Sequence, residues 1–414
     1  MPELKDIYTM ELGRRTILID PEDDICISVN TEYYKAHESD DSQIDIEKIF
    51  ERERALRKKT VHNVNTVYLF VTNQCNLACE FCSMRSNKKE QIISSDLTLE
   101  SLIKNIIPVI NEINPRRIII SGGEPFAHSE VLDLINYISS NTETQITIQS
   151  NGVLLNHNII LNLAGKVNRL EISTAHFGRQ SKKLVDLIKS IKSAEIEVTL
   201  SFVYNNNIEE LYQILDISKS YNTEFLLSFV SPTGSALDDN LKIMSSEEKL
   251  NVYMLIAKYI VRKEYADTKL NGIFFHPIHV QKGCSALGKA LAIYPDGNIY
   301  ICHSLASDKF CAGNIDTDNT KCILNNWRML VNQVWIKELF DVENKKYCEK
   351  CKFKYLCGGV CGADIYNEVN IDCMFQKVML IYSLLIYNSK LSNTQNMNTL
   401  IQFYEKKQYK NYLD

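Results

Sequence analysis

The stretch "VTNQCNLACEFCSM", residues 71–84, places Cys75, Cys79 and Cys82 in one short segment directly after an apolar run. Three neighbouring thiols suit metal chemistry, yet a closed tetrahedral zinc site takes four ligands. A set of three can hold a 4Fe–4S cube by three corners and leave one iron open to a small molecule. A zinc site completed by a distant ligand is the alternative on these residues alone. Of the 13 cysteines, Cys26 stands by itself and nine lie beyond residue 283. Among those nine, Cys348-x2-Cys351-x5-Cys357-x3-Cys361 has metal-ligand spacing, with a zinc ribbon as one reading. Cys26 and Cys322 read as ordinary buried or surface thiols.

The 414 residues predict two or three domains, and a formal charge of −5 with interspersed signs gives no footprint for nucleic acid or a membrane surface. The start, "MPELKDIYTMELGRR", has no apolar signal segment, and the longest apolar run, residues 378–387, is too short to span a bilayer. A cytoplasmic protein is expected, in which reduced thiols favour metal binding over a disulfide framework.

The elements that must position these thiols follow from periodicity. Between residues 62 and 235, short β-branched runs alternate with helical segments. Strands are expected at 66–72, 117–121, 145–150, 169–174, 197–203 and 225–230, with helices such as 98–113 and 129–140 between them. Six βα units predict a parallel sheet with helices outside, either doubly wound or a partial barrel. The first strand runs into the cysteine segment instead of a phosphate-cradling glycine loop. Residues 1–30 read as a hairpin turning at Pro21-Glu22-Asp23-Asp24, and 36–60 as a charged, solvated helix and linker. A long helix starts at a capping serine near 246, a second hairpin over 291–302 turns at Pro295-Asp296-Gly297, and the tail from 374 is helical. The expected units are 1–61, 62–240, a helical bridge 241–275, a cysteine-rich domain 276–376 and a tail 377–414.

"CNLACEFC" resembles the C-x3-C-x-aromatic-C signature of the radical S-adenosylmethionine (SAM) enzymes, with Phe81 as the aromatic residue. The resemblance implies a partial (β/α)6 TIM-type barrel, preceded by a small N-terminal α+β unit and followed by a loop-rich, cysteine-ligated SPASM domain. It implies that Cys75, Cys79 and Cys82 ligate a 4Fe–4S cluster whose open iron binds SAM. "SGGEP" at 121–125 resembles the family's GGE motif: Gly122 and Gly123 would allow close backbone approach, and Glu124, followed by Pro125, would lie near the SAM amino group. Ser150 and Asn151 would sit near the ribose, while Asn205 in "SFVYNN" and the "SPTGSA" segment fall where carboxylate and adenine contacts are made.

The C-terminal cysteines resemble the seven-cysteine SPASM pattern, including Gly297 in its hairpin. The resemblance implies two further 4Fe–4S clusters, three in all. Cys348, Cys351, Cys357 and Cys373 would hold one, and Cys284, Cys302 and Cys361 the other, completed by Cys311 or left open to substrate. The implied function is maturation of a ribosomally made precursor peptide by a thioether or carbon–carbon crosslink, with electrons from a reductase such as flavodoxin or ferredoxin. Residues 1–61 would then be a reduced leader-peptide recognition element. "FCAGNI" also resembles a segment common in peptide maturases. Sulfatase maturation to formylglycine is an alternative, with His303 standing where those enzymes carry an aspartate base. Peptide epimerisation and a non-catalytic, metal-stabilised peptide-binding protein are the others.

Overall fold

A computed structural model of the chain describes residues 7–38, 46–56, 64–86, 96–178, 181–238, 241–275, 277–284 and 286–413. Parts of the charged run, 39–45 and 57–60, and the expected boundaries near 61 and 240 lie outside the described residues.

Three N-terminal strands, β1 (Tyr8–Leu12), β2 (Arg15–Asp20) and β3 (Ile25–Asn30), form an antiparallel sheet in chain order. β2 and β3 are the expected hairpin. β1 has no counterpart in the sequence reading, because "YTMEL" carries little β-branched character; it is recruited by burial of Met10 and Leu12. Within the charged run, the helix Ile46–Leu56 buries Ile46 and Phe50 against Leu18 and Ile25. Its Arg54 pairs with Asp20 at 2.6 Å and Asp23 at 2.9 Å, so this helix is docked on the sheet.

The main sheet is built on β4 (Thr66–Phe70), β5 (Arg117–Ser121), β6 (Gln145–Ser150), β7 (Arg169–Ser173), β8 (Glu197–Val203) and β9 (Glu224–Ser228). All neighbouring pairs are parallel and adjacent in chain order. A doubly wound sheet reverses its strand order at a switch point, and this one does not. Successive right-handed crossovers in one direction put every connecting helix on the same face, which is barrel topology.

The two faces differ accordingly. Val67, Leu69, Ile118, Ile120, Ile146, Ile148, Leu170 and Ile172 alternate along the strands and are buried in the hydrophobic core. The other face carries Tyr68, Arg117, Ile119, Thr147, Gln149, Arg169 and Glu171, a largely polar surface turned away from the helices. A surface of this kind is what the chamber side of a partial barrel presents, whereas a sheet covered by helices on both faces is apolar on both sides.

Three more strands extend the sheet at the β4 edge. β10 (Ala290–Ile293) runs parallel to β4, and β11 (Asn298–Tyr300) and β12 (Cys311–Asn314) follow antiparallel, giving nine strands. The expected hairpin of the cysteine-rich region is thus continuous with the barrel sheet and covers its first edge. The helix Ser246–Arg262 begins with a Ser245–Glu248 capping box and contacts the C-terminal helix Asn393–Glu405, where Tyr404 donates to the Asn251 side chain at 2.9 Å. Among the described residues, no helix is long and apolar enough to cross a membrane.

Candidate active site

The segment bearing Cys75, Cys79 and Cys82 leaves the C-terminal end of β4 and is held there by backbone. The Gly123 N–H donates to the Thr72 carbonyl and the Glu124 N–H to the Gln74 carbonyl, both at 2.8 Å. A Cβ on Gly123 would stand 2.1 Å from the Gln74 carbonyl oxygen, and one on Gly122, at φ +141°, 2.4 Å from that of Thr72. The paired glycines are therefore required by the approach of the β5 end to the residues just before Cys75. Asp96 closes the same turn from the other side, accepting from the Thr72 hydroxyl and, at 3.0 Å, from the Gln74 amide. Beyond Cys82, the Ser235 N–H donates to the Cys82 carbonyl at 2.8 Å, and Gly234 lies so close that a Cβ would be 2.2 Å from that oxygen. Thus "SPTGSA" packs against the thiol segment. Phe81 is half-buried within it.

Glu124 ties the ends of β5 and β6 together. Its carboxylate is fully buried and accepts from Ser150 Oγ at 2.8 Å, the Asn151 N–H at 2.7 Å and the Phe126 N–H at 3.2 Å. Burial raises this carboxyl above its ordinary range, while the three hydrogen bonds pull the other way. Pro125 opens the short 3₁₀ turn Pro125–Ala127 that Glu124 caps. Asn151 in turn donates to the Asn76 side chain at 2.8 Å and lies 3.9 Å from Cys75 Sγ. The GGE segment, the β6 end and the first thiol form one connected network. Asn205 is not part of it: its amide donates to Glu210 at 2.9 Å and accepts from the Asn207 N–H at 3.0 Å, within its own loop after β8.

The C-terminal thiols sort into two sets by their electrostatic neighbours. Cys302 faces Cys284 and Cys361, and Cys361 faces Cys284. Cys357 faces Cys351 and Cys348, and Cys373 faces Cys357, Cys348 and Cys351. Burial is the main cause that pushes Cys302 up to about 12 and Cys373 up to about 11, and thiol–thiol repulsion adds to it. Crowded thiols, of which Cys302 and Cys348 are buried, favour a cationic partner that takes them as thiolates, which is the chemistry of an iron–sulfur core.

A second observation marks five of the thiols. Cys75, Cys284 and Cys302 accept the N–H of the residue two places on, Leu77 at 3.4 Å, Ala286 at 3.5 Å and Ser304 at 3.5 Å. Cys357 and Cys361 do the same from Gly359 and Ala363. N–H groups aimed at sulfur stabilise thiolate and tune iron–sulfur clusters. Cys311 has the opposite polarity: its thiol donates to the Gly313 carbonyl at 3.4 Å. Cys322 lies on the helix Thr320–Val331 and accepts from the Asn326 side chain at 3.7 Å.

Residues 69–217 match the radical SAM superfamily, and residues 284–352 match SPASM, an iron-sulfur cluster-binding domain. The chain carries a radical SAM domain and a SPASM domain. The mycofactocin maturase MftC of Mycolicibacterium smegmatis is 24% identical over 330 residues, 73% of this chain and 79% of its own length. The radical SAM cyclopropyl synthase TigE of Paramaledivibacter caminithermalis is 24% identical over 389 residues, covering 83% and 78%. Streptococcus suis SuiB, crystallised with its precursor peptide SuiA, shares the fold at a TM-score of 0.55 and 13% identity, covering 88% of this chain and 96% of that one. A radical SAM core binds a 4Fe–4S cluster and SAM, and the SPASM domain binds iron–sulfur clusters.

Between the radical SAM core and the SPASM domain stands an aromatic group. His303 stacks on Tyr68 at 4.3 Å, and Phe70 packs on Tyr294 at 4.6 Å. The Tyr294 hydroxyl donates to the His303 carbonyl at 3.0 Å. Burial holds the imidazole below its ordinary value, and its Nδ1 is buried with no hydrogen-bond partner. The charged neighbours of the Tyr68 phenol are Arg117 and Glu171 on the polar barrel face and Cys302 and Cys284 of the SPASM domain. The barrel chamber and the first SPASM thiol set therefore share one wall. His176 lies away from this wall, tilted against Phe177 at 4.3 Å.

Two residues of the site have no mark in the sequence. Lys345 is one of several lysines in "ENKKYCEKCKFK" but is fully buried between the two SPASM thiol sets. Asp364 lies beside Cys361, with its Oδ1 buried and without a hydrogen-bond partner.

Proposed function

We propose that this chain matures a ribosomally made precursor peptide by radical chemistry, installing a thioether or carbon–carbon crosslink. The observation that carries this reading is the shared wall between a polar barrel chamber and the Cys284, Cys302 and Cys361 set. A substrate held against that wall would lie between the radical SAM thiols and the first auxiliary thiol set, the residues that would hold a radical source and an electron acceptor. The relatives named as maturases, and the likeness to a fold crystallised with its precursor peptide, support a peptide as that substrate.

In this reading Cys75, Cys79 and Cys82 hold the cluster that binds SAM. When loaded, the site supplies a 5′-deoxyadenosyl radical that takes a hydrogen atom from substrate. Gly122 and Gly123 fix the thiol segment against the β5 end, and Glu124 fixes Ser150 and the Asn151 backbone, the residues that would border the nucleoside. Asn76, bound to Asn151, keeps Cys75 in register. Cys348, Cys351, Cys357 and Cys373 hold one auxiliary cluster. Cys284, Cys302 and Cys361 hold the other, whose fourth position goes to a substrate group or to Cys311. The stacked rings of His303 and Tyr68 would exclude water from the reacting C–H bond on that side. The N-terminal sheet offers an edge strand for a leader peptide to extend, and a flavodoxin or ferredoxin supplies electrons.

The test is co-expression with each small open reading frame encoded beside the gene, followed by intact-mass analysis of the peptide. Each crosslink removes two hydrogen atoms, and the loss disappears when Cys79→Ser replaces the wild-type chain. An unchanged mass with a mirror-image residue would point to epimerisation. A peptide cysteine converted to formylglycine would point to the sulfatase-type reaction.

A further inference from the structure

We propose that the Lys345 ammonium is a fixed positive charge shared by the two auxiliary clusters, raising the reduction potential of both. The proposal rests on the reading of the two SPASM thiol sets as cluster ligands. Lysine is almost never fully buried unless it is paired, and Lys345 is 0% exposed. Its Nζ donates to the Val360 carbonyl at 2.7 Å, burial works against its charge, and its charged neighbours among the described residues are thiols, with no carboxylate among them. It faces Cys348 and Cys357 of one set and Cys284 and Cys361 of the other.

The fold makes room for this placement. Gly359, at φ +78°, passes so close that a Cβ there would stand 2.9 Å from Lys345 Nζ and 3.0 Å from Cys348 Sγ. The backbone of Cys348 is fixed to the same residue, since its N–H donates to the Lys345 carbonyl at 2.8 Å. A lone buried ammonium is costly, and one backbone acceptor does not offset that cost. Thiolates around an iron–sulfur core do, because their summed charge exceeds that of the core and leaves the cluster anionic. An added electron makes the cluster more negative, so a nearby cation in a low-dielectric site stabilises the reduced form more than the oxidised one. Both clusters become better electron acceptors, as removal of an electron from a substrate radical requires.

The test is a potentiometric titration followed by electron paramagnetic resonance, on anaerobically reconstituted wild type, Lys345→Met, Lys345→Gln and Lys345→Arg, with iron counted in each. Met and Gln remove the charge, and Gln keeps a donor for Val360. Both are expected to lower the two auxiliary midpoints, with the reduced-to-oxidised ratio at fixed potential falling about tenfold, which is about 59 mV for one electron. Arg is expected to stay near wild type. Loss of auxiliary iron from Met and Gln but not Arg would support the same charge role at the level of assembly. Fully loaded Met and Gln variants with wild-type midpoints overturn the lysine proposal, as does loss of iron from all three, which assigns Lys345 to packing. Wild type without auxiliary clusters overturns the cluster reading itself, a result distinct from unmoved midpoints.

Discussion

Cys75, Cys79 and Cys82 share one loop, whereas the seven SPASM thiols run from Cys284 to Cys373 and fall into two sets interleaved at Cys361. The first group is held from outside. The β5 end, the β6 end and the Gly234 segment all reach in to grip a loop that has little packing of its own. The second group is held by its own region instead: the Cys284 N–H donates to the Phe340 carbonyl at 2.9 Å and the Gln281 N–H to the Tyr355 carbonyl at 2.7 Å, and much of that chain lies in short helices and turns. Cys361 belongs with Cys284 and Cys302, although its sequence neighbours Cys357 and Cys373 belong to the other set. Threading of this kind ties distant segments together once metal is bound. The radical SAM loop thus borrows its order from the barrel, and with the ligand sets proposed above the SPASM region is expected to draw part of its order from its metal.

The largest effect tests the first half of that contrast. Replacing Cys75, Cys79 or Cys82 by serine is expected to abolish 5′-deoxyadenosine formation and to remove one cluster's iron, while the thermal unfolding midpoint stays within a few degrees of wild type. A collapse of stability would show that the barrel does not hold the loop. Cys351→Ser tests the second half. Auxiliary iron falls and hydrogen-exchange protection is lost from residues 340–373 but kept in β4 to β9, and uncoupled SAM cleavage persists while peptide product is lost.

Gly123→Ala sharpens the outside grip. The added Cβ meets the Gln74 carbonyl at 2.1 Å, so about 1–3 kcal/mol of stability is expected to go, with weaker SAM binding, read by calorimetry on reconstituted enzyme. Glu124→Gln is the mildest change. It keeps the shape and loses the charge-assisted bonds to Ser150 and the Asn151 N–H, and a roughly tenfold rise in the Kd for SAM is expected, about 1.4 kcal/mol.

The six parallel strands are legible because β-branched runs such as "RIIIS" and "EVTLSFV" stand between clear helical segments. The polar chamber is also written in the chain: in "QITIQS" the Gln and Thr side chains alternate with Ile, which a period-two reading of faces would have found. The pairing of β10 with β4 is not legible, since nothing local in "ALAI" names a partner more than two hundred residues away. Asn205 fits the family position by sequence but is engaged locally by Glu210, a side-chain choice that spacing does not encode. Lys345 is the extreme case, because burial of a charged residue depends on which thiols surround it in space.

The most direct measurement is made on anaerobically purified, reconstituted protein, reduced with dithionite and given SAM, with iron counted and 5′-deoxyadenosine followed by chromatography. Near twelve irons per chain together with deoxyadenosine formation is the predicted result. Bound zinc and no deoxyadenosine would contradict it, and would leave a metal-stabilised binding protein in place of an enzyme.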